Sequence, residues 1–283
     1  MECIGIVGLG LMGASLALAL REAGFGGAIV GVSRSPATRQ KALARGMVDR
    51  AEDSLRALAE ADLVVLCTPV RTLIAQVNEC GVVCKPGAVI TDMGSTKRAV
   101  VRAMDALPEH VRAVGSHPMC GKETAGIDAA DAGLYRGAPW LLVPCRRTDD
   151  VARERVSQLA SLIGARLLAL PSADTHDAVL AFASHLPYAL AVSLVTATDQ
   201  FALNNPVVWE VAASGFRDTS RVAASDVDMW LDILLTNADA LLGALRDAQF
   251  ALDQLIALLE RADEHGLRAL LTRAAQARRE HFR

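Results

Sequence analysis

The chain has 283 residues, a formal net charge of −3 and a 52% apolar composition in which only 4% of residues are aromatic. That charge balance excludes a basic field for nucleic acid and an acidic tail, and the scarcity of aromatics excludes a stacking surface for bases. The length exceeds what one small core usually serves, so two domains are expected.

Residues 4–20, IGIVGLGLMGASLALAL, carry an apolar run straight into Gly8-x-Gly10-x-x-Gly13 and then into an Ala/Leu-rich stretch. That order predicts a strand, a tight turn and a helix. Gly8 suits the turn, Gly10 the close approach of a pyrophosphate, and Gly13 the packing of helix on strand, with Leu11 and Met12 between them on the cofactor side. The free N–H groups of the helix N-terminus would hold the phosphates. A second strand is expected over residues 28–32, and Ser33-Arg34-Ser35 follows it. An NAD-binding domain usually places a carboxylate about 20 residues past the last glycine, on the ribose 2′-OH. Here Arg34 stands at that point instead. It can pair with a 2′-phosphate as a planar fork while Ser33 and Ser35 donate to it, so NADP is expected over NAD.

Residues 36–46 and 54–60 read as helical, and 62–69 (DLVVLCTP) and 88–93 (AVITDM) as strands covered on both faces. Further strands are expected at 113–115, 140–143 and 166–170. This alternation predicts an α/β domain with a mostly parallel, doubly wound sheet of the Rossmann type. Ligands bind such sheets beyond the strands' carboxyl ends, so Thr68, Pro69, Gly94 and Ser95 should line the cofactor crevice. Beyond residue 171 strand-like runs cease. Helical patterns cover 174–201, with Pro187 marking a break or kink, then 207–214, 228–262 and 267–278. The expected division is a dinucleotide-binding domain at 1–171 and an all-helical substrate and dimerisation domain at 172–283. So apolar a lobe should pair with a second copy across a two-fold axis.

No apolar run reads as long as a membrane span, and the start Met1-Glu2-Cys3-Ile4 shows no basic leader, so no membrane partner and a cytoplasmic location are expected. The six cysteines, Cys3, Cys67, Cys80, Cys84, Cys120 and Cys145, form no CxxC pair and no metal-ligand cluster, which predicts reduced thiols and no metal.

Three polar segments are not explained by packing: Asp92-Met93-Gly94-Ser95-Thr96-Lys97, the GSHPMCG of residues 115–121, and the GFRDTSR of residues 215–221. A cleft between lobes could draw on all of them. With the N-terminal fingerprint, CTP at 67–69, His176-Asp177, Ser184-His185-Leu186-Pro187 and Met229-Trp230, they make the chain resemble the prephenate and arogenate dehydrogenase family along nearly its whole length. The cofactor loop and GFRDTSR are most similar to the NADP-preferring arogenate branch.

That resemblance implies an oxidative decarboxylation of a small cyclohexadienyl substrate. Hydride leaves the hydroxyl-bearing ring carbon, CO2 departs and the ring becomes aromatic. His117 matches the family's catalytic histidine, and an imidazole with an ordinary pKa near ~6.5 suits proton removal. Ser95 matches a serine that orients that histidine and the substrate hydroxyl. Arg221 matches the arginine that grips a substrate carboxylate. Arg217 and Trp230 are further substrate candidates, placed to reach a site across the dimer. His185, also a candidate, and His176 read as hydrogen-bonding props of the helical lobe rather than as substrate contacts. Tyr188 stands where many prephenate-using members have histidine, which favours arogenate. Two rivals are a β-hydroxyacid dehydrogenase, whose helix-borne lysine has no counterpart in residues 174–201, and a non-catalytic NADP sensor, which would need neither Ser95, His117 nor Arg221.

Overall fold

The computed structural model describes residues 1–122 and 124–282. In the first half, strands β1 (Cys3–Val7), β2 (Ala28–Val32), β3 (Arg50–Glu52), β4 (Leu63–Leu66), β5 (Val89–Asp92) and β6 (Arg112–Ala113) alternate with helices α1 (Leu11–Glu22), α2 (Pro36–Ala44), α3 (Val70–Val83) and α4 (Arg98–Asp105). The strands pair in parallel in the order β3-β2-β1-β4-β5-β6. The chain direction of growth reverses between β1 and β4, so their carboxyl ends flank the crevice where such sheets take ligands.

Both faces of this sheet are covered, and the alternation of side chains along β4 shows how. Leu63 and Val65 join Ile4, Ile6, Leu16 and Leu20 in one apolar core, while Val64 and Leu66 join Leu73, Val77 and Ile90 in the other. Side chains two apart share a face, so an uninterrupted apolar run serves two cores at once. Each fully buried Leu or Val contributes about 1.5–3 kcal/mol relative to exposure.

Strand β7 (Gly115–Pro118) belongs to a second sheet, antiparallel to β8 (Pro139–Val143), which pairs in parallel with β9 (Arg166–Ala169) beyond α5 (Asp150–Leu162). The expected strand at 113–115 is therefore the junction of two sheets, and GSHP is itself a strand. The cause is visible at Asp92. Val114 N still donates to Ile90 O at 3.1 Å, but Ser116 N donates to the Asp92 carboxylate at 2.9 Å instead of continuing the ladder. Freed from β5, the chain pairs with β8. The helix expected at 54–60 is a short 3-10 turn, Leu55–Leu58.

The remaining chain is helical: α6 (Ala173–Leu180), a π-helical turn Ala181–His185, α7 (Leu186–Ala202), α8 (Val207–Val211), α9 (Ser214–Ser220), a 3-10 turn Arg221–Ala224, α10 (Val227–Thr236), α11 (Ala238–Glu260) and α12 (Glu264–His281). The break expected at Pro187 is a widening. Helix continues through it, and the π turn lies just before a residue that has no N–H to give to the carbonyl four residues back. The single helix expected over 228–262 is interrupted at Asn237, whose side-chain amide is engaged elsewhere.

The reading that no apolar run reaches a membrane span is corrected here. Residues Ala173–Ala202 form one helix long and apolar enough to cross a membrane by length and composition, with a mean hydropathy of 1.8 over its most apolar window. It carries His176, Asp177 and His185, all buried and hydrogen-bonded to protein. By compactness the chain divides into Met1–Ala238 and a second unit from Asp239. In that second unit α11 and α12 are joined by a turn with Ala262 at φ 49°, and Asp263 caps α12 by accepting from Gly266 N at 2.9 Å.

Candidate active site

The glycine turn has the geometry that phosphate binding requires. Gly8 has φ +92°, and a Cβ there would lie 2.9 Å from Thr68 Cγ2. A Cβ on Gly13 would lie 2.0 Å from Gly8 O, so only glycine lets α1 sit this close to β1. A Cβ on Gly10, by contrast, meets nothing within 4 Å, which leaves open space before the helix N-terminus. That terminus carries neither a side-chain cap nor an acidic residue in its first turn. Leu11 and Met12 are half-buried, and Tyr135 Oη donates to Met12 O at 2.6 Å, bracing this turn from the segment between β7 and β8. Thr68 and Pro69 follow β4 at the rim, where the Thr68 hydroxyl donates to Gln76 Oε1 at 2.6 Å.

The cofactor loop is more crowded with charge than its sequence shows. Arg34 is exposed and Ser33 half-buried, while Ser35 caps α2 by accepting from Thr38 N at 3.2 Å, keeping its own hydroxyl proton to donate. Parallel pairing sets Glu52 beside Val32, and Asp53 follows it. Carboxylates therefore do approach the loop, from β3 and not from the end of β2. Arg39, which sequence reasoning missed, lies 3.6 Å from Asp53 and donates to Ser33 O at 2.7 Å and Arg34 O at 3.2 Å.

Beyond β5 the chain forms a buried knot. Lys97 and Asp92 are both fully buried, 2.6 Å apart, and the Lys97 ammonium also donates to Gly94 O at 2.6 Å and Thr96 O at 3.2 Å. The Asp92 carboxylate accepts from Gly94 N at 2.8 Å and from Ser116 N at 2.9 Å. An ion pair this dry survives only because its remaining donors and acceptors are matched. It welds the Ser95 loop to β7. Gly94 itself is buried, with its N–H and C=O both engaged within this knot.

His117, next to Ser116 on β7, is 8% exposed. Its Nδ1 lies 3.0 Å from His176 Nε2, and His176 Nδ1 lies 2.8 Å from Asp177 Oδ1. Asp177 also accepts from Lys97 N at 2.7 Å and Arg98 N at 2.9 Å, capping α4. Burial, then the charge of Lys97, then the neighbouring His176 and His185 push the His117 imidazole well below its ordinary range, so it is neutral at pH 7. Burial likewise lowers His176, against the pull of Asp177. Burial alone would raise Asp177, but the hydrogen bonds from His176 and the Arg98 and Lys97 amides outweigh it and hold it below the usual carboxylate value. The partner expected to orient His117 was Ser95. In the structure that partner is His176, and the half-buried Ser95 hydroxyl hydrogen-bonds no described residue.

The network runs on into the helices. Asn237 Nδ2 donates to Asp177 O at 2.8 Å and reaches His185 Nδ1 at 3.0 Å. The His185 ring meets Trp230 edge-on with centroids 6.1 Å apart, and Trp230 stacks on Tyr188 at 3.7 Å and 3°. Trp230 is thus an internal packing partner of Tyr188, 9% exposed, and not a residue reaching out of its own chain. The nitrogens His185 Nε2 and Trp230 Nε1 are buried without a partner among the described residues. The Tyr188 hydroxyl hydrogen-bonds no described residue. Val222 packs on this cluster, which brings the turn carrying Arg221 against it. Arg221 and Arg217 are exposed, and Asp226 caps α10 by accepting from Met229 N at 2.7 Å. His117, His185, Tyr188 and Trp230 are therefore brought together within one compact unit.

The Cys120 thiol is half-buried and pushed by burial up to about 12, which leaves it unreactive at neutral pH.

This arrangement can be compared with known proteins. The family profile described as "Prephenate dehydrogenase, nucleotide-binding domain" matches residues 16–169, and "Prephenate dehydrogenase, dimerization domain" matches residues 172–273. The chain belongs to the prephenate dehydrogenase family. Among its relatives in that oxidoreductase family, the prephenate dehydrogenase of Bacillus subtilis is 35% identical over 271 residues, which is 94% of this chain and 72% of that one. The crystal structure of prephenate dehydrogenase from A. aeolicus, in complex with hydroxyphenyl propionate and NAD+, superposes with a TM-score of 0.92 at 31% identity, covering 99% of this chain and 98% of that one. The arogenate dehydrogenase of Synechocystis does so with a TM-score of 0.81 at 32% identity, covering 99% of each chain.

Lys97, Asp92, Asp177, Asn237 and Arg39 are the members of this site that sequence reading left without a role, and His176 was read only as a prop of the helical lobe. For Lys97 and Asp92 a signal existed: opposite charges five residues apart at the end of an apolar strand.

Proposed function

We propose that the chain catalyses the NADP-dependent oxidative decarboxylation of arogenate to tyrosine, and of prephenate to 4-hydroxyphenylpyruvate with lower efficiency. The observation that carries this reading is His117: a neutral imidazole, held through His176 by a buried carboxylate, on the strand tied to the carboxyl end of β5.

The bound nicotinamide supplies the hydride acceptor, and its pyrophosphate fits the open space at Gly10 and the uncapped start of α1. His117 takes the substrate hydroxyl proton as the carbinol carbon loses hydride and becomes a carbonyl. The ring carboxylate then leaves as CO2, and its bonding electrons pass through the diene to that carbonyl oxygen. The same proton returns to the oxygen from His117, which completes the phenol with no net proton change. Ser95, unengaged among the described residues, donates to the reacting oxygen. Arg221, with Arg217 behind it, grips a substrate carboxylate. Tyr188, stacked on Trp230, with His185 alongside, faces the substrate's side chain.

Arg34 supports NADP over NAD, since an exposed guanidinium beside two serine hydroxyls matches a 2′-phosphate and Asp53 is already neutralised by Arg39. A functional division into residues 1–171 for the dinucleotide and 172–283 for substrate and pairing fits the change from strands to helices. Exposed Phe182, Leu190, Phe201, Trp209 and Phe250 support a homodimer formed through the helical part. The enzyme acts in the cytoplasm in this reading. The test is a set of initial rates with prephenate and arogenate, each paired with NAD and NADP. The highest kcat/KM is expected for arogenate with NADP; turnover of neither substrate would overturn the activity, and a preference for NAD would overturn the cofactor assignment.

A further inference from the structure

The direction of the proton along the histidine chain follows from Asp177. Its two oxygens accept three N–H groups, from Lys97 N and His176 Nδ1 at Oδ1 and from Arg98 N at Oδ2. Together they hold Asp177 below the usual carboxylate value, so it is ionised and an acceptor only. A lone pair on His176 Nδ1 would face that carboxylate at 2.8 Å, acceptor against acceptor, so this nitrogen carries the hydrogen. His176 is fully buried and its charged form is disfavoured by burial and by Lys97, so it is neutral and its Nε2 holds a lone pair. The partner of that lone pair, at 3.0 Å, is His117 Nδ1, which must then be the donor. His117, facing Lys97, His176 and His185, is itself neutral, so its proton is already used and its Nε2 is bare.

We infer that His176 and Asp177 are positioning residues that lock His117 in its Nδ1–H tautomer and so make Nε2 the atom that takes the substrate's hydroxyl proton. Which imidazole nitrogen acts as base is set by the hydrogen bond at the other one. Asp177 would cap α4 equally well without His176, whereas the His117–His176 contact adds nothing to that cap. Asn237 holds the Asp177 carbonyl from the far side, at 2.8 Å, and keeps the relay in register with β7. The catalytic half of this inference rests on the proposed dehydrogenase reading; the tautomer does not.

The experiment joins two readouts. Long-range 1H–15N spectra of the histidine-labelled wild-type protein, without substrate, report which His117 nitrogen is protonated. A protonated Nδ1 and a pyridine-type Nε2 are expected, and a protonated Nε2 would overturn the proposal whatever the enzyme's activity. For function, His176→Gln keeps an acceptor for the His117 Nδ1–H while His176→Leu removes it. The leucine variant should lose on the order of 100-fold in kcat with KM and cofactor Kd within about 3-fold of wild type, and the glutamine variant should recover most of that loss. Equal activity in the two variants would overturn the positioning role. Turnover of neither prephenate nor arogenate by the wild type, with the expected tautomer present, would defeat the dehydrogenase reading and leave the tautomer assignment standing.

Discussion

Lowering the pH from 7 to 5 should destabilise this protein through its buried histidines, and His185 carries a share that can be worked out. It is 1% exposed, with Nδ1 against the Asn237 amide and Nε2 unpartnered among the described residues. Burial is the main cause that pulls it from the ordinary 6.5 down to about 4, with His176 adding and Asp177 opposing. A folded-state pKa below the unfolded one means that the unfolded chain binds the extra proton first. The stabilisation is thus fully present above pH 6.5 and is lost as pH falls towards 4. At about 1.4 kcal/mol per unit the full loss is about 3 kcal/mol, of which about 2 kcal/mol falls between pH 7 and pH 5. His117 and His176 act in the same direction, whereas Asp177, lowered from 3.8, titrates below this window. Urea denaturation at both pH values, at one protein concentration, measures the difference for wild type and for His185→Gln. The variant should show a pH dependence smaller by about 2 kcal/mol. An unchanged pH dependence would refute the reasoning, because His185 would then titrate alike in both states.

Arg34→Ala should weaken NADP selectively, by on the order of 1.5–3 kcal/mol in Kd measured by fluorescence titration, and an equal effect on NAD would remove this residue from cofactor choice. Arg221→Ala should raise KM more than it lowers kcat, by about 2–4 kcal/mol, in steady-state kinetics; a normal KM would transfer the carboxylate anchor to Arg217. Tyr188→His should shift the kcat/KM ratio towards prephenate, and an unchanged ratio would mean that this ring serves Trp230 alone. Lys97→Met leaves the Asp92 carboxylate buried and unpaired, so it should cost about 3–5 kcal/mol in denaturant unfolding, and a loss below about 1 kcal/mol would contradict the dry ion pair.

Where chemistry is local, the residues themselves told most of the story. The strand at 28–32 lies where alternation and flanking signals put it, and the three glycines occupy a turn, an open approach and a tight packing contact as their spacing implied. The segment GSHPMCG stood out as polar residues that packing does not explain, and His117 took its catalytic role from the family resemblance. What could not be read is what arises between segments far apart in the chain. His117 and His176 are 59 residues apart, and Asp177 meets Lys97 from 80 residues away. No periodicity announces such contacts, since each follows from how α6 packs on α4. The departure of β7 from the main sheet was hidden for the same reason, because it hangs on one Asp92 oxygen taking the Ser116 N–H. At the cofactor loop, reading along β2 alone overlooked Glu52 and Asp53, which arrive from the neighbouring strand. The unpartnered nitrogens of His185 and Trp230 likewise became visible only once both rings were packed.

The claim on which everything else depends is that His117 removes the hydroxyl proton during hydride loss. Steady-state turnover of His117→Asn, followed as nicotinamide reduction with saturating arogenate and NADP, tests it most directly, with cofactor Kd and the unfolding midpoint measured alongside. A fall in kcat of roughly 100-fold or more, at near wild-type Kd and stability, is the expected result. A variant that binds cofactor normally and keeps kcat within a few-fold of wild type at neutral pH would contradict it.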